Sequence, residues 1–133
     1  MKVFIDTSAF YALVDWKDKN HKKAHRIRNS MRGKEMRLYT SNYIFDESVT
    51  LIRTKLGFDD ALNFGNRMRS SKAVKMLKVT EEIENKAWDI FSKYKDKELS
   101  FTDCTSFALM EKFGITNAFA FDDDFERMGY MFL

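Results

Sequence analysis

The sequence predicts an α/β fold, a mainly parallel sheet of five strands with helices on both faces. Three observations carry this reading. Five short apolar runs have strand length, segments of helical period lie between them, and no Pro-rich or Gly/Ser-rich linker divides the 133 residues. Parallel strands need long crossovers, and helices supply them.

The elements follow in order. Residues 2–5, Lys-Val-Phe-Ile, read as the first strand and run into Asp6. Asp6-Thr-Ser8 before an apolar run is a helix start, because a carboxylate there accepts from orphan backbone N–H groups. Helical patterns cover residues 8–14 and 21–32, a strand covers 37–40, and further helical patterns cover 43–56 and 59–69. A third strand is expected at 74–79, then a helix at 81–95. Ser100-Phe-Thr-Asp103 matches a capping box at the head of a helix over 102–113. The fourth strand, 118–121, meets Asp122, Asp123 and Asp124, a turn that opens a short helix carrying Phe125 and Met128. Residues 130–133 read as the fifth strand.

Composition narrows the class. A chain of this length suits one domain, 1–133, which buries roughly two thirds of the surface its unfolded form exposes. Hydrophobic residues make up 44%, with 13 Phe and 8 Met, and no repeat or low-complexity tract appears. Asp6 interrupts the N-terminal apolar run, which argues against a secretory signal, and the run 9–14 is too short to span a bilayer. The single Cys104 sits among Phe101, Phe107 and Ala108 and reads as a buried thiol. A cytoplasmic protein with no membrane partner is expected. Net charge is only +3, but nine Lys or Arg lie between Lys17 and Arg37. From charge alone a solvated helix face explains them.

In a parallel sheet, ligands bind beyond the strands' C-terminal ends. Asp6 follows the first strand there and Asp122 the fourth, so two carboxylates converge if those strands are neighbours. Glu47 borders the apolar stripe of its helix, three residues after Ile44 and four before Leu51, while Asp46 projects the other way. Asp103 is in line with Phe107 and Met110. Carboxylates facing a core with no nearby base need protons or a cation. Four of them suit a hard divalent ion, Mg²⁺ or Mn²⁺, and metal-assisted hydrolysis of a phosphodiester. His21 and His25, one turn apart without a Cys or third His, read as helix surface. No Gly-rich phosphate loop or nucleophile elbow is present.

Four segments, "FIDTSAFYALVDWKDKNHKKA", "TSNYIFDESVTLI", "LSFTDCTSFALMEKFGI" and "NAFAFDDDFERMGY", resemble in order and spacing those of PIN domains. That family includes metal-dependent ribonucleases and VapC-type toxins. The resemblance implies that Asp6, Glu47, Asp103 and Asp122 are the catalytic acidic cluster and hold one or two Mg²⁺ or Mn²⁺ ions. It implies a supporting role for Ser8 and at most a supporting one for Asn42, a water-mediated metal contact for Asp124 and surface for Asp123. Ala120 departs from the pattern, standing where the last motif often has Thr or Ser. The implied activity is endonucleolytic cleavage of single-stranded RNA, with a small antitoxin and a homodimer as partners. A non-cutting RNA- or protein-binding module and a non-toxin housekeeping nuclease are the alternatives. A phosphatase is disfavoured, since Ser8 occupies the place of the second acid in Asp-x-Asp. Tyr11 and Tyr43 are expected to pack rather than to stack on bases.

Overall fold

The first strand, β1 (Lys2–Ile5), buries Val3, Phe4 and Ile5, as a central strand covered on both faces must. The computed structural model describes residues 1–133. After β1 come α1 (Thr7–Val14), α2 (His21–Met31), β2 (Arg37–Ser41), α3 (Asn42–Leu56), α4 (Phe58–Ser70), β3 (Val74–Leu77) and α5 (Glu81–Lys93). The chain continues through α6 (Phe101–Phe113), β4 (Asn117–Phe119), α7 (Asp124–Arg127) and β5 (Met131–Phe132).

The five strands form one sheet in the order β3-β2-β1-β4-β5, and every pair is parallel. Right-handed crossovers then place α1 to α4 on one face and α5 to α7 on the other. Helix α1 packs on α2 and α3, α3 on α4, and α5 on α6. The direction of winding reverses at β1, so a crevice opens between the ends of β1 and β4. The register sets Ile5 opposite Phe119, which brings the residues after both strands to this crevice.

Side chains start most of these helices. Ser41 caps α3, Thr80 caps α5, and Ser100 with Asp103 closes a capping box on α6. Gly114 ends α6 with φ +65, and the Ile115 N–H returns to Met110 O at 2.9 Å, a left-handed stop that favours glycine.

The expected strands 74–79, 118–121 and 130–133 are longer than those observed. Competing hydrogen bonds account for two of them. The Val79 N–H donates to Asn42 Oδ1 at 2.8 Å, and the Phe121 N–H to Ser8 Oγ at 2.9 Å, so both leave the ladder. Asp122 consequently stands beyond two residues of extended chain rather than directly after the strand. His21 and His25 are also not plain helix surface. Their rings lie 4.4 Å apart, and His21 Nδ1 and His25 Nε2 meet Ala12 O and Leu13 O at 2.7 and 3.2 Å. The pair satisfies carbonyls at the end of α1, which carry the negative end of its dipole. Cys104 is fully buried, and burial pushes its thiol up to about 11. No helix is long and apolar enough to cross a membrane.

Candidate active site

The crevice widens into a cleft of about 660 Å³ lined by Asp6, Asp18, Glu47, Glu98, Asp103, Asp122 and Asp124, with no Lys or Arg in its wall. Seven carboxylates share one concave surface, and the regular elements and their caps place five of them.

Asp6 ends β1 and caps α1. Its Oδ2 accepts from the Ser8 N–H at 3.1 Å and from Ser8 Oγ–H at 2.7 Å, leaving Oδ1 for a ligand. Ser8 Oγ in turn accepts from the Phe121 N–H, so one hydroxyl ties Asp6 to the segment leading to Asp122. Asp103 lies in the first turn of α6, where its Oδ2 accepts from the Ser100 N–H at 3.3 Å. Cap and cleft are therefore not alternatives, since the same carboxylate serves one with each oxygen. Asp122 Oδ1 accepts from the Asp124 N–H at 3.0 Å, an Asx turn that opens α7 and points alternate aspartates inward. Asp123 is exposed between them. Carboxylate oxygens of Asp103, Asp122 and Asp124 all lie within 4.8 Å of one another.

Glu47 reaches the cleft from α3, half-buried, while Asp46 is exposed. Beneath it Ser48 Oγ–H donates to Thr7 Oγ1 at 3.2 Å, both buried, which locks α3 to α1. Thr40 Oγ1–H donates to Ile5 O at 2.9 Å and holds β2 beside the end of β1. Asn42 is engaged with Val79 and does not line the cleft. Ala120 is buried and brings no hydroxyl.

Burial dominates the electrostatics. Asp6, 4% exposed, is pushed up to about 6 by desolvation, against its Ser8 hydrogen bonds and with help from Glu47 and Asp122. Asp103 is pushed up to about 7 by desolvation, then by Asp6 and Asp122. Asp124 is raised by burial and by Asp122. Such a set is under-neutralised, and an oxygen-preferring cation offsets what hydrogen bonds leave uncompensated. The donor set fits a divalent metal.

Sequence reasoning did not single out Asp18, Asn20 and Glu98 as cleft residues. They sit on loops, where no periodicity marks a facing side chain. Glu98 carries φ +50, which a non-glycine residue adopts rarely, and this was a structural signal only. Tyr11 both packs and lines the cleft, its hydroxyl donating to Asp15 Oδ2 at 2.7 Å. Tyr43 packs against the core.

A parallel α/β domain with an all-oxygen acidic cleft at its switch point is the architecture of a metal-dependent hydrolase of phosphodiesters. Residues 3–130 match the PIN domain family, and the chain belongs to it. The nucleases of that family are metal-dependent, hydrolytic endoribonucleases. The chain is 37% identical over 129 residues to the 23S rRNA-specific endonuclease VapC20 of Mycobacterium tuberculosis, covering 97% of this chain and 95% of that protein. It is 30% identical over 114 residues to a VapC ribonuclease of Archaeoglobus fulgidus, covering 84% and 72%. The crystal structure of VapC20, described as a sarcin-ricin loop cleaving toxin, superposes with a TM-score of 0.89 at 36% identity, covering 97% and 96%. VapBC-1 from nontypeable Haemophilus influenzae has the same fold at 14% identity, with a TM-score of 0.69 and 100% and 97% covered.

Proposed function

We propose that the chain, residues 1–133 as one nuclease domain, is a divalent-metal-dependent endoribonuclease for single-stranded RNA and the toxin of a VapBC-type toxin–antitoxin pair. One observation carries the chemistry. Asp103, Asp122 and Asp124 converge within 4.8 Å beside buried Asp6, in a wall without a cation. Likeness to VapC20 over 97% of the chain supports the substrate class and makes 23S rRNA the first natural RNA to test.

In this reading Asp6, Glu47, Asp103 and Asp122 hold one or two Mg²⁺ or Mn²⁺ ions, and Asp124 completes the set. When bound, the metal supplies positive charge for the phosphate oxygens and acidifies a water for hydrolysis. The chain's own residues do the positioning. Ser8 holds Asp6, Ser100 holds Asp103, and the Asx turn aims Asp122. Carboxylates alone repel a phosphodiester, so the cleft accepts RNA only in its metal-loaded form. Exposed Lys and Arg of the 17–37 segment steer the backbone toward it, with Lys23 at the rim, 6.0 Å from the Phe121 ring. Hydrolysis in this family implies 5′-phosphate and 3′-hydroxyl ends. A small antitoxin that covers the cleft and a homodimer are the proposed partners, and a buried, unpaired Cys104 fits a cytoplasmic setting.

The test is cleavage of an end-labelled, unstructured RNA and of 23S rRNA with Mg²⁺, with Mn²⁺ and with chelator, beside Asp6→Asn. Cutting that needs metal and drops about a hundredfold or more in the variant is expected. Full activity of Asp6→Asn would sink this site.

A further inference from the structure

Helix α4 turns an apolar stripe outward. Phe58 and Leu62, one turn apart, are 56% and 50% exposed, and Gly65 and Arg69 continue the line at helical spacing. Phe45, Val49 and Arg53 run along α3 in the same way, and the two stripes wall a groove of about 210 Å³. Phe45 and Arg69 also wall a hollow of about 390 Å³ against β3, where Lys78 stands, so the two spaces adjoin.

Gly65 is the informative residue, because a glycine inside a helix is destabilising relative to alanine. A Cβ there would meet Phe45 Cζ at 3.8 Å and Val49 Cγ2 at 3.9 Å, ordinary contacts, so the packing of α4 on α3 does not require it. The missing methyl deepens the groove instead. The cations around it are also uncompensated. No carboxylate lines either space, and Arg53, Arg69 and Lys78 form no salt bridge. Arg53 rests on the Phe58 ring, 5.0 Å from its centroid. From Arg53 to Lys78 the chain carries seven Lys or Arg against Asp59 and Asp60.

We propose that this groove docks an acidic amphipathic segment of another protein, whose apolar side chains fill the space over Gly65 while its carboxylates meet Arg53, Arg69 and Lys78. The proposal does not rest on the ribonuclease reading. Charge and shape select the occupant. RNA would match the cations, but Val49, Ala61, Leu62 and Gly65 offer base edges no side-chain partner, and polar groups are costly to bury unpaired. A second copy does not fill the groove about a two-fold axis, since that sets hollow against hollow and cation against cation. Its acidic helix α5 would enter only head to tail, a contact that builds rings or open chains. Glu47 lies two residues from both Phe45 and Val49, on the opposite side of α3, so an occupant grips from behind the helix that reaches the cleft.

The test titrates the full chain, in chelator, with a fluorescent synthetic helix that has Leu at i, i+3, i+4 and i+7 and Glu elsewhere; its Lys counterpart is the control. Saturable binding of the Glu peptide alone is expected, by anisotropy, with amide shifts gathered on α3, α4 and β3. Arg53→Glu with Arg69→Glu, both at exposed positions, should weaken it about tenfold or more with an unchanged circular dichroism spectrum. Gly65→Ala should raise Tm and still weaken binding about tenfold. No saturable binding, equal binding of the Lys peptide, or an unchanged affinity in the double variant overturns the groove. A lower Tm for Gly65→Ala would show that packing needs the glycine and would remove the main support. Shifts on these elements caused by an unstructured RNA but not by the peptide would assign the groove to RNA and overturn the proposal. So would a mass that grows with protein concentration in the absence of peptide and falls to that of the monomer in the double variant, which would assign it to a second copy.

Discussion

Asp6 shows how one side chain holds two jobs. Its backbone position makes it a cap for α1, and its burial makes its charge expensive. An Asn in its place still accepts from Ser8 through its amide oxygen but carries no charge. Metal-free Asp6→Asn is therefore expected to melt higher than the parent protein at pH 8, by several degrees in a thermal scan, while losing cleavage. Equal or lower melting would mean that the Asp6 charge is compensated within the protein. Glu98 presents the opposite balance. Its φ of +50 costs about 1 kcal/mol or more in a non-glycine residue, and its side chain lines the cleft. Glu98→Gly is expected to raise stability by about 0.5–1 kcal/mol in urea titration; a loss of stability would show that the Glu98 side chain stabilises the turn.

At the scale of elements, single hydroxyls set where strands stop and helices begin. Ser8 Oγ joins α1 to the segment after β4, so its removal orphans the Phe121 N–H and leaves Asp6 only the backbone N–H of residue 8. Ser8→Ala should cost about 1–3 kcal/mol of stability and also weaken metal binding, read by calorimetric titration with Mn²⁺. Thr80 caps α5 away from the cleft with the same kind of bond, at 3.3 Å to the Ile83 N–H. Thr80→Ala should cost about 1 kcal/mol and leave metal affinity unchanged. Equal effects of the two variants on metal binding would refute the special place given to Ser8. The histidine pair belongs here too, because a helix end with open carbonyls recruited donors that the sequence pattern had left on the surface.

For the whole molecule, the acidic cleft couples stability to pH and metal. Asp6 and Asp103 hold their protons more tightly in the folded chain, at about 6 and about 7, than at their ordinary 3.8. Between those limits the folded state binds more protons than the unfolded one, so the slope of stability with pH is negative. Their contribution is full below about pH 4 and is lost as pH rises through 7. The metal-free protein is expected to melt roughly 5–10 °C lower at pH 8 than at pH 5, and Mn²⁺ should raise Tm at pH 8 far more than at pH 5. A flat or rising Tm from pH 5 to 8 without metal would contradict the burial of these two groups.

Local physics was enough for much of this protein. Strand-length apolar runs alternating with helical periods dictated a parallel α/β sheet, because parallel neighbours require crossovers. Ser100 and Asp103 announced their capping box, and the position of Glu47 on its helix announced a carboxylate at the edge of the core. Tertiary structure decided what no local pattern encodes. Strand order placed β1 beside β4 and so brought Asp6 to Asp122. Loop geometry added Asp18 and Glu98 to the cleft. It also ended β4 early, because the Ser8 hydroxyl, 113 residues away in sequence from Phe121, outcompeted the sheet for one N–H. A sequence records which groups need partners, and only the folded chain decides which of the available partners each group meets.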